Sequence, residues 1–598
     1  MRWLRPIGAL ALVAAFGLLL AACGSSGGSS SSTSSESSVP TVAGFKSPTN
    51  EKLSCVTKGG TLNVLQENDF EHLDPGIAYY STDYMVVFAT QRPLYSNKPN
   101  TASEPTADMA AGPPEISSNN EEIKIKIREG VHFSPPVNRE VTSEDVAYAI
   151  DRGANPNVAN PYFQSYFSAI EGAEKATGGP IPGVKTPNKH ELVIKLDQPQ
   201  GQIVADALVL PLTAAVPKEY AEKFDKNKPS NYGSYQVATG PYMLKNNAEG
   251  KVLGIGYIPG KSATLIRNPN WKASTDYRPA CLNEINIKIG GTGTVLAEQV
   301  LNSTNDVLAE GVPSSVLKTA ATQHKEQLEL SPGGGMHYIG VNNKVGPFKN
   351  EDLRKAFWAA LNKEALNKLA GGKLVTINAT HWIYPTISGF EQAGGLKGPS
   401  GVDYNEHPEG DQKLAEEYVK KAGYPSGKYT GGEQISIVAA NGPPAKERAE
   451  VINETLKNLG FNTKLSLEET ATMYGKYCNV PKEEITVCPS VGWIADFADA
   501  QTVLNITFNG KYINATGNVN WSQANNPEIN AAMDKAVTIS GRSARATAWA
   551  EADKKIVEHA LAIPIEWDNQ PNLEGTGVNG VGQLWNIGSW DYAWTSLK

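Results

Sequence analysis

Asp496 and Asp499 stand three residues apart in GWIADFADA (492–500), among Trp493, Ile494 and Phe497. Two carboxylates so placed admit three kinds of chemistry. They can form an acid/base pair, since retaining glycosidases need carboxyl groups about 5 Å apart and neighbours on one loop can reach that separation. They can hold a cation, because a buried ammonium needs a fixed anion to offset its lost hydration. Or they order a turn and do nothing else. The rest of the chain argues against catalysis. Its eight histidines are scattered singly, and HExxH, G-x-S-x-G and H-x-E with C-x-x-C are all missing. GGTGTV (290–295) lacks the Lys-Ser/Thr of a phosphate loop and reads as a turn, while HPEGD (407–411) reads as a helix cap in preference to a calcium loop. A secreted hydrolase is therefore a distant reading. No enzyme is expected, and no cofactor or metal site is indicated.

Eleven Trp and 23 Tyr offer a second kind of binding chemistry. They cluster in apparent loops at Tyr79–Tyr80, Tyr162–Tyr166, His381–Tyr384, Trp493–Phe497 and Trp585–Trp594. Most such rings pack cores or lobes. The remainder are the rigid, amphipathic walls expected of a ligand cleft.

The elements that must position these residues belong to an exported chain. Arg2 and Arg5 precede an apolar run from Ile7 to Ala22 that ends in small residues before Cys23. That is a secretory signal, too short and badly flanked for a spanning helix of about 20 residues. Leu20–Cys23, LAAC, resembles a bacterial lipobox, in which the cysteine is lipidated and becomes the mature N-terminus. Gly24–Ser38 is a Ser/Gly tether with nothing to bury. The expected organisation is a signal peptide over 1–22, an anchor and tether over 23–54, and an extracytoplasmic body held at the cell membrane. A net charge of −8, 40% apolar residues and no basic patch exclude nucleic acid as a partner. Four cysteines remain, Cys55, Cys281, Cys478 and Cys488, which allow three disulfide pairings in an exported chain. Cys478–Cys488, a short local loop, and Cys55–Cys281, each before a strand, are favoured. Without C-x-x-C spacing a zinc site is not.

The body is too long for one core, so two or more lobes are expected. Alternating or β-branched runs predict strands at 61–65, 122–127, 191–196, 285–289, 336–341 and 435–440. Helices are predicted over 141–152, with Thr142 or Ser143 as N-cap, and over 350–366, running on to Gly371. Two more end at glycines, one before Gly423 and one before Gly460.

The order of motifs resembles the solute-binding lipoproteins of ABC importers that include oligopeptide- and dipeptide-binding proteins, extracellular family 5, in its actinobacterial type. The resemblance rests on GGTLNVLQENDFEHLDP (59–75), IKIKIREGVHFSPPVNREVTSEDVAYAIDR (123–152), VATGPYML (237–244) and LIRNPNWKA (265–273). It continues through YIGVNNKVGPFKNEDLRKAFWAALNKEAL (338–366), YVKKAGYP (418–425) and GWIADFADA. Departures fall at SPPVNRE (134–140), at Asn362-Lys363 and at Ala500.

The resemblance implies an α/β fold of two lobes, the type II periplasmic-binding-protein (Venus flytrap) arrangement. Lobe I would be 55–335 plus 567–598, with an inserted subdomain over about 83–199, and lobe II 336–566. It implies a monomer that captures peptides and delivers them to ABC permease subunits. The same fold could instead take an oligosaccharide, haem or a nickel complex, or serve a non-transport envelope role. Asp496 would hold the ligand ammonium, flanked by Trp493 and Ile494, with Tyr79, Tyr80 and Ser81 on the opposite wall. Asp499 would order the loop. The partner for a ligand carboxylate is left open among Arg139, Lys344 and His381.

Overall fold

The structure, a computed structural model, describes residues 54–99, 105–515, 517–580 and 589–598. The expected signal segment, Cys23, the tether up to residue 53 and Trp585 lie outside the described residues.

Three sheets organise the body. The first has six strands, five in the order Asp306–Leu308, Thr61–Gln66, Glu284–Ile289, Ser262–Arg267 and Tyr242–Leu244. A sixth, Tyr257–Ile258, pairs with Ser262–Arg267. Thr61–Gln66 is parallel to both neighbours, and the rest of the sheet is antiparallel. The second is a small antiparallel sheet containing Glu122–Lys126 and Glu191–Lys195, paired Ile123 to Ile194 and Ile125 to Leu192. These four apolar side chains sit in the core beneath, while Lys124 and Lys126 face water, the alternation of a half-buried sheet. The third sheet has six strands in the order Thr376–Asn378, Ile563–Leu573, Leu328–Val341, Val487–Ile494, Gln434–Ala440 and Asn462–Glu468.

Two long strands tie the body together. Leu328–Val341 and Ile563–Leu573 pair antiparallel from Leu328↔Leu573 to Ile339↔Ile563. Their outer ends, Leu328, Leu330 and Leu573, join a core with Leu65, Leu296 and Val300. Their inner ends, Met336, Ile339, Ile563 and Ile565, join the large core under the third sheet. The pair thus crosses between two bodies.

Caps behave as their residue types dictate. Thr142 and Asp145 form a reciprocal capping box at the helix Ser143–Gly153, the Asp145 carboxylate accepting from Thr142 N at 2.8 Å. Asp411 of HPEGD accepts from Leu414 N and caps Gln412–Lys421. Gly423 and Gly460 follow their helices with φ of 99° and 95°, which glycine adopts without a Cβ clash. The helix predicted over 350–371 is two helices, Glu351–Ala360 and Lys363–Ala370. Leu361 is extended at ψ 123°, and the Asn362 side chain caps the second helix by accepting from Ala365 N. An asparagine able to cap outcompeted the continuing apolar stripe. Lys363 then turns inward, its Nζ donating to the Ala379 carbonyl at 2.9 Å.

The cysteines pair Cys55–Cys281 and Cys478–Cys488, the favoured arrangement. The first ties the entry of Thr61–Gln66 to that of Glu284–Ile289. Among the described residues no helix is long and apolar enough to cross a membrane.

Candidate functional site

The loop after Thr61–Gln66 is fixed by buried charge. Asp74 Oδ1 accepts from Gly76 N at 2.8 Å, and its carbonyl accepts from Ile77 and Ala78 N–H groups. Arg152, from the capped helix, donates to Asp74 Oδ2 at 2.6 Å and to Asp225 Oδ2 at 2.7 Å. Asp83 closes the loop from its other end, accepting from the Glu71 and His72 backbone N–H groups. Tyr79 is delivered by this frame.

The opposing wall is Val487–Ile494 and the turn that follows. Pro489 and Ser490 together oppose Ile339, a bulge in which Ser490 takes φ 55°. Such a bulge bends a strand and re-aims the residues beyond it. Beyond it, Trp493 packs against both the large core and the core of the small sheet. Its Nε1 donates to the Thr502 carbonyl at 2.7 Å, and its own carbonyl accepts from the Tyr384 hydroxyl at 2.8 Å.

Asp496 lies where the walls meet. It is buried and accepts hydrogen bonds from the hydroxyls of Tyr166 and Tyr79. Burial pushes its carboxyl up to about 6, against the opposing pull of those two phenols. Phe497 packs edge-on against Tyr166 at 5.0 Å between centroids. Asp499 points elsewhere: Oδ1 accepts from Gln501 N at 2.9 Å, and Oδ2 accepts from Arg545 Nε at 2.8 Å. The two acids are therefore not an acid/base pair on one substrate.

Asp496 opens onto a cavity that Tyr84, Phe88, Asn97, Tyr277, Arg278 and Trp594 also line, together with Asp591. The internal space is about 30 Å³, room for about two waters, so a larger ligand requires the walls to part. Of the residues expected at the site, Asp496 lines the cavity and Tyr79 bonds it. Trp493 stands between the two cores, Ile494 and Tyr80 are exposed, and Ser81 begins the helix Ser81–Thr90; none of these four lines the cavity.

The three candidates for a ligand carboxylate are placed elsewhere. Arg139 is spent on Asp145 and Glu219. His381 is buried in the large body against Asp553 at 2.9 Å. Lys344 is absent from the cavity lining, where the described cation is Arg278. Local sequence could not have found Arg278: apart from Tyr277, its cavity neighbours lie far apart along the chain. Among the described residues, donor atoms that could hold a metal converge at His337, Glu566 and Asp568. There the Arg448 guanidinium already neutralises Glu566.

Two α/β bodies, crossed by a strand pair and closing on a cavity with a buried acid, define a two-lobed solute-binding protein. The chain belongs to the bacterial extracellular solute-binding proteins, family 5, whose middle region matches residues 104–515. It is 24% identical over 463 residues to haem-binding protein A of Haemophilus influenzae, covering 75% of this chain and 77% of that one. To the dipeptide-binding protein DppE of Bacillus subtilis it is 24% identical over 544 residues, covering 87% and 89%. Among solved structures, an oligopeptide-binding protein of clavulanic acid biosynthesis superposes with TM-score 0.78 at 23% identity, covering 90% of this chain and 96% of that one. A Pseudoalteromonas dipeptide-binding protein in complex with Met-Leu gives 0.71 at 20%, covering 90% and 100%. At such identity the structural likeness speaks for the fold.

Proposed function

We propose that the protein captures peptides between its lobes and passes them to an ABC permease in the membrane, without turnover. Asp496 binds the peptide's α-ammonium. The observation that carries this reading is the buried Asp496 carboxylate, held by tyrosines of the opposite wall and lining a cavity. A carboxylate kept in that setting is most stabilised by a cation that replaces lost hydration. Beyond Val487 the pairing of Val487–Ile494 with Gln434–Ala440 is not continued, and extended peptide backbone would pair there once the walls part. Exposed Ile494 and Tyr80, with Trp493 and Ser81, would flank the ligand once the walls part.

The lobes would divide near 336 and 566 and move about the crossing strands, with ligand contacts stabilising the closed state. Relatives named for peptide and dipeptide binding support peptide as the solute. A haem ligand draws less support, because the described cavity lining offers Tyr84 and Tyr277 but no His, Cys or Met. Cys23 would carry the lipid that keeps a monomeric body at the cell surface.

Native mass spectrometry of the purified protein with added tripeptides tests the site. One peptide per chain, lost or weakened at least about tenfold in Asp496→Ala, is the expected result. Undiminished occupancy in the variant would overturn it. For the anchor, Cys23→Ser releases the protein into the medium, and continued membrane retention counts against lipidation.

A further inference from the structure

The cavity has a second acid that the peptide's α-ammonium does not use. Asp591 sits in the C-terminal segment, is buried, and lines the same space as Asp496. Its Oδ1 accepts from Ala593 N at 3.0 Å, and no donor meets Oδ2 among the described residues. Beside it stands a closed square of charge. Arg92 pairs with Asp108 at 2.6 Å and Asp276 at 3.7 Å, and Arg278 pairs with the same two acids at 2.9 Å each. Two guanidinium groups and two carboxylates pair with one another, so among the described residues Asp591 has no ion-pair partner of its own. Burial raises its carboxyl to about 7 against the pull of Arg278, and a ligand cation beside it would favour the ionised form. Arg128 lies within Coulombic reach of Asp108 and Asp276, and its donors go to the carbonyls of Ala107, Asp108 and Ala110.

Three further polar atoms around this cavity are buried without a hydrogen-bond partner among the described residues: the Tyr84 hydroxyl, Asn97 Oδ1 and Trp594 Nε1. Tyr84 and Trp594 are 3% and 5% exposed, so solvent does not satisfy them. Unmet donors and acceptors of this kind are costly, and their convergence on one cavity is what a polar ligand would repay. Asn97 Oδ1 can only accept. A hydroxyl can accept or donate. A carboxylate oxygen is the strongest acceptor of the set. The wall therefore presents acceptors, among them a carboxyl group with no ion pair of its own among the described residues, complementary to N–H donors on a cation.

We propose that Asp591, with Asn97 and Tyr84, forms a second anionic subsite that takes the ammonium or guanidinium of a basic side chain, so that the protein prefers peptides carrying Lys or Arg near their amino end. The Trp594 indole N–H would bind a carbonyl of the same ligand. A ligand carboxylate placed on Arg278 instead would lie beside three acids, Asp108, Asp276 and Asp591, which is why the cationic reading is favoured. This inference rests on the peptide-binding reading and adds a side-chain preference to it.

Isothermal titration of the mature protein with Ala-Ala-Ala, Lys-Ala-Ala, Ala-Lys-Ala, and the Leu and Glu analogues of both tests it. Lys at one of the two positions should bind at least about tenfold more tightly than Leu, and Glu should be the weakest. In Asp591→Asn the Lys-to-Leu ratio should collapse toward one. Equal affinity for Lys and Leu, a preference for Glu, or an undiminished ratio in Asp591→Asn would overturn the subsite. The unmodified-protein series decides even if the variant misfolds. If Ala-Ala-Ala binds in an Asp496-dependent way while Lys carries no advantage, the subsite fails and the peptide reading stands. If no peptide binds, both fail.

Discussion

Arg545 Nη2 lies 2.7 Å from Asp206 Oδ2, and both side chains are buried. The pair joins the long helix Arg542–Glu558 of the large body to Gly201–Ala207, which packs on the small sheet. Asp499 holds the same arginine from the other side, so the second acid of GWIADFADA is a strut for a contact between bodies. Burial and the nearby Asp499 push the Asp206 carboxyl up to about 6, against Arg545 and Arg542.

The contact should act as a latch on the closed arrangement. Asp206→Asn removes the charge while leaving Arg545 its bond to Asp499. The expected outcome is a larger radius of gyration for the unliganded variant and roughly tenfold weaker peptide binding, because closure loses a desolvated ion pair. Small-angle scattering and titration check both. An unchanged radius with unchanged affinity would make the pair a bystander.

A pH dependence follows from Asp496. Its folded carboxyl titrates at about 6 and the unfolded one near 4, so the folded state holds the proton more tightly. Stability from this group is therefore greatest at low pH and declines as pH rises between those values. Ligand affinity runs the other way, since an ammonium needs the ionised form: it should fall below about pH 6 and level off above. Other raised acids share the window, so the measure is the difference between wild type and Asp496→Asn, which should lose both slopes.

Local elements were readable because their causes are local. The capping box at Thr142, the Asp411 cap, the glycines after two helices and the alternation in Glu122–Lys126 depend on residues within a turn or a strand of each other. The break at Leu361 had a signal too, an asparagine followed by Lys-Glu, masked by an apolar stripe that carried on through it. At the site, Asp496 was legible from its motif. The far wall was not. Asn97, Arg278, Asp591 and Trp594 come together only through tertiary packing, and no spacing along the chain marks them. Arg139 and His381 attracted attention as cations, yet each is consumed by acids supplied from distant elements.

The disulfides should differ in weight. Cys55–Cys281 spans 226 residues and Cys478–Cys488 spans 10. Chain entropy assigns about 5 kcal/mol to the first and about 3 kcal/mol to the second. Denaturant unfolding of the paired Ala variants should rank them in that order. The short loop should matter more for binding, because Cys488 lies in the strand that leads to Asp496. A Cys55/Cys281 variant that unfolds like wild type would contradict the ranking.

Arg152 joins stability to the site. Its guanidinium is buried between Asp74 and Asp225, and Asp74 organises the loop that delivers Tyr79 to Asp496. Removing the arginine leaves two buried carboxylates uncompensated, which costs about 3–5 kcal/mol for a buried network. Arg152→Met, similar in length but uncharged, should therefore lower the unfolding free energy by that order. It should also weaken peptide binding, because a freed loop no longer holds the Tyr79 hydroxyl against the carboxylate. The second effect separates positioning from bulk destabilisation. At a temperature where the variant is still fully folded by circular dichroism, affinity should remain reduced, and the pH at which binding fails should move, since one of the two phenols that lower the Asp496 pKa is lost. With less hydrogen bonding to the charged form, that midpoint should rise. A folded variant with wild-type affinity and an unmoved midpoint would show that Arg152 supports the fold alone.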